Sequence, residues 1–179
     1  MPHFLSKQEA IIWRSYRRVP VSKLPYNQRH WVLDRGSLTK RLIHASKGNF
    51  KVKISCQNWA LPSLDERNLL NLPLGQRALI REVSLLCGGV IWVKARSIIP
   101  LRTLTGAEQQ LARLGERPLG AFLFKSKTMK RGPLQIASFR NNKNKNISAR
   151  RSIFFLQDKP ILVSEFFMPA VFASVGKNE

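Results

Sequence analysis

The chain has 179 residues, 44% of them hydrophobic, which predicts one compact domain spanning residues 1–179 around a single buried core. Its 31 lysines and arginines against 10 acidic residues give a net charge of +21. This charge favours an anionic partner, which could be nucleic acid, an acidic membrane surface or a small polycarboxylate, although a basic surface can also serve solubility alone. Two cysteines and three histidines without paired spacing exclude a disulfide framework and predict no metal centre.

The sequence predicts a soluble protein. Charges interrupt every apolar run near the N-terminus, and the uncharged stretch at residues 166–176 is too short to span a bilayer. Cys56 and Cys87 are expected to be free thiols in a reducing compartment. We therefore expect a cytoplasmic monomer.

The first half of the chain predicts two helices and one strand. Apolar residues recur at helical spacing over residues 6–16, which begin with a capping-box pattern, and a second short helix is expected to carry residues 31–33. Residues 50–56 alternate between apolar and polar, which is typical of a half-exposed strand. Residues 65–75 are rich in turn formers and are predicted to be irregular.

The second half predicts a hairpin followed by more strands. Two strands are expected to meet at Gly88 and Gly89, and residues 105–114 predict a helix. The remaining predictions are a helical turn or tight loop at residues 118–124, strands at residues 128–139, 151–156 and 160–168, and a mobile basic Asn/Lys-rich loop within residues 140–149. Long antiparallel pairs with a few helices indicate an α+β fold with about six strands.

Two charged residues fall on apolar faces of predicted strands. Alternation over residues 79–87 places Arg81 in a row of apolar side chains, and alternation over residues 161–167 places Glu165 in a second apolar row. Burial of either ion alone would cost roughly several kcal/mol, so each needs a partner.

Two interpretations of these charges are open. Arg81 and Glu165 can neutralise each other, or their faces can be solvated. Alternatively, both line one cavity, where the guanidinium fork would hold the carboxylate of a small aromatic acid. Glu165 would then accept the proton of a hydroxyl group on the opposite side of the ring.

Around these residues the chain resembles the chorismate pyruvate-lyase family, in order from about residue 30 to about residue 170. The matching pieces are SLTKR (residues 37–41), REVSLLC (81–87), ARSIIP (95–100), LTG (104–106), LGERPLG (114–120), RRS (150–152) and LVSEFFMPA (162–170). Their common order and spacing carry the resemblance. Residues 132–147 are hard to align with the family and the first thirty residues are uninformative, so no function is carried into either segment.

The resemblance implies a cofactor-independent lyase that converts chorismate into 4-hydroxybenzoate and pyruvate, the first committed step toward ubiquinone. It also implies a single-domain antiparallel sheet with flanking helices, in which helix-turn-helix flaps cover an enclosed site.

The resemblance also assigns roles to individual residues. Arg81 would bind the ring carboxylate and Glu165 would face the hydroxyl, so these two are the expected catalytic residues. Backbone groups near Leu38 and at Leu119 and Gly120 would complete the pocket. Arg96 is a weaker candidate for a second anion contact. The alternative is that Arg96 is a surface or structural arginine.

A nucleic-acid-binding module is the alternative function, suggested by the net charge and by the basic segment within residues 140–149. The sequence contains no DNA-binding helix-turn-helix, RNP or zinc-finger pattern, so we expect no specific nucleic-acid partner. Peripheral association with an anionic membrane is compatible with the charge.

Overall fold

An antiparallel sheet is the framework of the computed structural model, which describes residues 11–140 and 145–173. Its strands are β1 (Arg14–Ser15), β2 (Phe50–Ala60), β3 (Ala78–Cys87), β4 (Val90–Pro100), β5 (Lys130–Arg131), β6 (Gln135–Arg140), β7 (Asn146–Leu156) and β8 (Lys159–Phe167). Neighbouring strands follow the order β1-β6-β7-β8-β4-β3-β2, and β5 lies beside β7. The α+β class with about six main strands is therefore confirmed, since β1 and β5 have only two residues each.

Short helices accompany the sheet. The α-helices are α1 (Tyr26–Val32), α2 (Leu38–Ala45), α3 (Leu64–Leu70), α4 (Leu119–Lys125) and α5 (Pro169–Ala173), and 3-10 segments occupy Tyr16–Arg18, Val21–Lys23, Leu101–Thr103 and Gly106–Arg113. α1 and α2 form one helix-turn-helix pair, and the 3-10 segment Gly106–Arg113 and α4 form a second. None of the described helices is both long enough and apolar enough to cross a membrane.

The two faces of the sheet carry different layers. Buried side chains of α1 and α2 pack with Val83 and Leu85, and those of Gly106–Arg113 and α4 pack with Leu79. On the opposite face, the end of α3 packs against Ile80 of β3. Because side chains alternate along a strand, the odd-numbered residues of β3 face the two helical pairs and the even-numbered residues face α3.

The prediction of a helix over residues 6–16 is wrong for residues 11–15. Residues 6–10 lie outside the described ranges. Residues 11–13 are irregular, and residues 14–15 form β1 along β6. Trp13 packs edge-on against Phe166 at 6.2 Å between ring centroids and lies 4.4 Å from the Arg151 guanidinium carbon. These sheet contacts override the helical spacing of the sequence.

The segment expected to be irregular, residues 65–75, instead begins inside α3. The Ser63 backbone N–H donates to Glu66 Oε2 at 2.9 Å, which is half of a capping box. Asn71, with a φ of +49°, ends the helix in the left-handed conformation. The spacing of Ser63 and Glu66 in the sequence is thus typical of the start of a helix.

The second half agrees more closely with the sequence predictions. Gly88 and Gly89 both have positive φ in the β3–β4 hairpin, as expected for its two-residue turn. The helix predicted at residues 105–114 is a 3-10 segment, and residues 118–124 contain most of α4. The strand predicted at residues 128–139 is broken into β5 and β6.

The basic loop predicted within residues 140–149 is shorter than expected, because β6 continues to Arg140 and β7 begins at Asn146. Residues 141–144, which include Lys143, lie outside the described ranges.

An ion-pair cluster holds α3 on the sheet. Arg96 of β4 donates from Nε to Glu66 Oε1 at 2.8 Å, from Nη2 to Glu66 Oε2 at 3.0 Å and from Nη1 to Glu82 Oε1 at 2.7 Å. Burial alone would raise the pKa of the Glu66 carboxyl, but the Arg96 guanidinium and the hydrogen bonds from Ser63 together outweigh burial and hold this pKa below its usual range. Arg96 therefore stabilises the fold on the face away from the two helical pairs.

We expect Arg96→Met to lower the free energy of unfolding by about 3–5 kcal/mol, because it removes the cation that binds two buried carboxylates. Lys130→Met is the matched control, since its ion pair with Asp158 is exposed and contributes at most ~1 kcal/mol. Urea unfolding measures both.

The same cluster predicts a pH dependence of stability. The lowered pKa of Glu66 stabilises the fold above the usual glutamate pKa, ~4.3, and this contribution is lost as the pH falls through the lower folded pKa. Unfolding free energies measured from pH 6 down to pH 3 should thus fall less steeply in Arg96→Met than in the unmodified protein. A parallel fall in both would show that Arg96 does not set the acid sensitivity.

Candidate active site

A cavity lies between the sheet and the two helical pairs. The space open to the centres of water-sized molecules is about 50 Å³, several times the ~10–15 Å³ that one buried water needs. Its walls are mostly apolar, and three guanidinium groups and one carboxylate interrupt them, for a net charge of +2. The charged lining residues are Arg81, Arg131, Arg150 and Glu165.

Arg81 enters this cavity from β3 and is almost completely buried. Its Nη1 donates to Gln57 Oε1 at 2.9 Å, and its Nη2 donates to the Arg117 carbonyl oxygen at 3.2 Å. Burial lowers the pKa of this guanidinium. Within the described ranges no carboxylate forms an ion pair with Arg81, so this buried cation has neutral partners and N–H groups left over for an anionic ligand.

Glu165 lies across the cavity floor from Arg81. Registers along β3, β4 and β8 place it two strands away and two residues along, which corresponds to roughly 12 Å between the two Cα atoms at ordinary sheet spacings. Glu165 Oε2 accepts a hydrogen bond from Arg150 Nε at 2.5 Å. The interpretation in which Arg81 and Glu165 neutralise each other is therefore wrong, because the partner of Glu165 is Arg150.

The second oxygen of Glu165 has a different environment. Oε1 accepts no hydrogen bond from the part of the chain that the structure describes. Since Glu165 lines the cavity, this oxygen is available to a hydroxyl group of a ligand.

The expected backbone contacts also reach the cavity, because Leu38, Leu119 and Gly120 all line it. Leu38 begins α2 and Leu119 begins α4, so each belongs to one of the two helical pairs. The predicted helix-turn-helix flaps correspond to these pairs. Gly120 lets them meet, because a Cβ added there would lie 2.6 Å from Thr39 Oγ1 of α2.

Arg96 is the one predicted site residue that the structure keeps away from the cavity. It lies on the α3 face of the sheet, bound to Glu66 and Glu82, and is not among the lining residues. The expectation that Arg96 contacts a ligand anion is therefore wrong, because its guanidinium donates to two of the protein's own carboxylates.

Arg131 and Arg150 line the cavity and were not predicted from the sequence. Arg150 sits in β7 one residue before the predicted strand, and its Nη1 donates to the carbonyl oxygens of Trp31 (3.0 Å) and Asp34. Extending the period-two alternation of β7 back by one residue would have placed Arg150 on the cavity face. Arg131 lies in a two-residue strand, which is too short to show a period.

The site arginines also hold the flaps. Arg150 and Arg131 donate to carbonyl oxygens of α1 and of the α1–α2 turn, and Arg81 donates to a carbonyl of the turn before α4. The groups that would bind an anion therefore also fix the cover of the cavity. No group of three or more His, Cys, Asp or Glu side chains in the described ranges could hold a metal ion.

Solved structures with a similar fold include the C-terminal domain of the histidine utilization repressor from Pseudomonas syringae, with a TM-score of 0.56 at 7% identity, covering 68% of this chain and 92% of that one. PhnF from Mycobacterium smegmatis has a TM-score of 0.56 at 12% identity, covering 77% and 66%. At these identities the likeness concerns the fold alone.

Sequence relatives are more specific. The chain is 41% identical over 152 residues to a Methylococcus capsulatus protein described as "Probable chorismate pyruvate-lyase", covering 79% of this chain and 94% of that protein. A Nitrosomonas europaea protein with the same description is 37% identical over 170 residues, covering 88% and 94%. The family model for chorismate lyase matches residues 8–177. This chain therefore belongs to the chorismate lyase family.

Proposed function

We propose that this protein is a lyase that converts chorismate into 4-hydroxybenzoate and pyruvate, the step that leads from chorismate toward ubiquinone. The observation that carries the proposal is Arg81, a buried cation without a carboxylate partner in the described ranges, which lines the cavity between the sheet and the two helical pairs. Chorismate is a dianion, with one carboxylate on its ring and one on its enolpyruvyl ether. The net charge of +2 in the cavity lining is complementary to it.

The proposed orientation follows from the two ends of the cavity. The Arg81 fork binds the ring carboxylate through two parallel hydrogen bonds, and Glu165 Oε1 accepts a hydrogen bond from the ring hydroxyl. Backbone groups near Leu38, Leu119 and Gly120 enclose the ring. The same contacts bind 4-hydroxybenzoate, which keeps both groups, so slow product release is expected to limit turnover.

The reaction needs no external reactant. The bond between ring carbon 3 and the ether oxygen breaks, its electron pair leaves with the enolpyruvyl group, and ring carbon 4 loses its hydrogen as a proton. That proton ends on the methylene carbon of the departing group, which becomes the methyl group of pyruvate. The ring becomes aromatic, so the role of the protein is to hold the enolpyruvyl group in the reactive conformation, which can lower the barrier by several kcal/mol, on the order of other preorganised reactions.

Incubation of the purified protein with chorismate tests this proposal. Growth of the ultraviolet band of 4-hydroxybenzoate with one pyruvate per product molecule supports it. Salt-sensitive retention of DNA without any turnover would support the nucleic-acid-binding alternative and overturn the lyase.

The close contact between the flaps gives a further prediction. Gly120→Ala should raise KM for chorismate by about tenfold, because overpacking of this size costs ~1–3 kcal/mol and forces α4 away from Thr39. The double variant Thr39→Ala/Gly120→Ala removes the clashing oxygen and should recover most of the affinity. Steady-state kinetics of both variants measure this effect, with Thr39→Ala alone as the control. An unchanged KM in Gly120→Ala would show that the close packing of the flaps does not affect substrate binding.

We infer that the enzyme works in the cytoplasm as a monomer. Support for a reducing compartment comes from Cys56 and Cys87, which are both free thiols.

A further inference from the structure

Arg131 is a cavity cation to which the proposed reaction assigns no role. Its Nε donates to Ser152 Oγ at 3.2 Å and its Nη1 donates to the Arg35 carbonyl oxygen at 3.1 Å. Its guanidinium carbon lies 5.0 Å from the centroid of the Phe154 ring, a cation–π contact. These neutral contacts fix the guanidinium in one place at the cavity wall.

The electrostatic surroundings of Arg131 disfavour its charge. Burial, and next the positive charge of Arg150, lower the pKa of Arg131 to about 10. The negative charges of Glu165 and Asp34 oppose this only in part. No carboxylate of the described residues lies within ion-pair distance of Arg131. A bound anion beside Arg131 would supply the missing compensation.

Arg131 and Arg81 mark opposite ends of one row on the cavity floor. Strand registers place Arg81 of β3, Ser97 of β4, Val163 of β8 and Ser152 of β7 side by side. Since Arg131 donates to Ser152, its guanidinium lies at the far end of the row from the Arg81 backbone. The Arg81 guanidinium donates to Gln57 of β2, on the side of the row away from Arg131, so the two arginines are placed to bind separate groups of a ligand.

We propose that Arg131 forms a second anion subsite, which binds the carboxylate of the enolpyruvyl group while Arg81 binds the ring carboxylate. This assignment rests on the proposed function for the identity of the substrate. Arg150 is committed to Glu165 and to the α1–α2 flap, so Arg131 is the cation left for the second charge. Arg131 then holds the group that departs, and makes the site selective for dianions over monoanions.

A pair of unreactive probes separates this subsite from the rest of the pocket. 3-(Carboxymethoxy)-4-hydroxybenzoate carries the second carboxylate, and 3-(carbamoylmethoxy)-4-hydroxybenzoate replaces it with a neutral amide of the same size. Calorimetric titration should show that the unmodified protein binds the dianion about tenfold tighter or more, as expected for a charge-assisted hydrogen bond.

Three variants complete the experiment. Arg131→Met should bring the ratio of the two dissociation constants close to one, whereas Arg81→Met should weaken both probes and leave the ratio. Lys130→Met, which removes the same charge from an exposed neighbouring side chain, should change neither. If Arg131→Met fails to fold, Arg131→Gln, which keeps a donor for the Arg35 carbonyl without the charge, gives the same comparison.

The outcomes distinguish this inference from the proposed function. An unchanged ratio in Arg131→Met overturns the subsite, even if chorismate is converted. Equal weakening of both probes also overturns it, because Arg131 would then act only through the flap. Loss of the ratio in a protein that does not convert chorismate supports the subsite and refutes the lyase.

Discussion

Replacement of Arg81 with alanine is expected to lower kcat/KM for chorismate by about two to three orders of magnitude, as expected when a buried charged donor to the substrate is removed. The side chain holds the ring carboxylate, and no other described cation reaches that end of the cavity floor. Arg81→Lys should recover little, because an ammonium group cannot make two parallel hydrogen bonds to a carboxylate. Initial rates followed by ultraviolet absorbance measure both variants.

Arg77→Ala is the matched control for this prediction, because Arg77 is an exposed arginine immediately before β3. It should turn over chorismate at the normal rate. Arg81→Ala should keep its fold, since the groups it leaves behind, the Gln57 amide and the Arg117 carbonyl, are neutral. Normal turnover by a folded Arg81→Ala protein would remove Arg81 from the site.

Glu165→Gln is expected to lower both activity and product affinity. The amide has the same shape but carries no charge, so it accepts a weaker hydrogen bond from the hydroxyl group of 4-hydroxybenzoate. Stability should fall by about 1–3 kcal/mol, because Arg150 loses its carboxylate but keeps the carbonyl oxygens of Trp31 and Asp34. This loss is smaller than the one predicted for Arg96→Met.

Thermal unfolding with and without 4-hydroxybenzoate isolates the ligand contact from the change in stability. The unmodified protein should gain several degrees from the ligand, and Glu165→Gln distinctly less, because the stabilisation depends on the ratio of ligand concentration to dissociation constant. Equal ligand-induced shifts in the unfolding temperatures of the two proteins would show that Glu165 does not bind the hydroxyl group.

The sequence could predict that Arg81 and Glu165 face the interior, because alternation along β3 and β8 has a period of two and both strands are long. It could not predict their partners. Arg150 reaches Glu165 only because β7 pairs with β8, and Gln57 reaches Arg81 only because β2 pairs with β3. Strand order is a property of the whole sheet, which local alternation does not encode.

Other features could not be predicted from the sequence for local reasons. Arg131 occupies a two-residue strand, where no periodicity can be measured. The segment before β1 has helical spacing, but Trp13 packs against the sheet instead. Arg96 and Arg81 both lie on long strands, and only the opposite parity of their positions in the β3–β4 register separates a structural ion pair from a cavity cation.

A crystal structure of the protein with 4-hydroxybenzoate tests the central claim most directly. We expect both carboxylate oxygens within ~2.7–3.2 Å of Arg81 nitrogens, and the hydroxyl oxygen within hydrogen-bonding distance of Glu165 Oε1. The product should lie beneath α2 and α4. A product bound in the reverse orientation, or outside this cavity, would contradict the account.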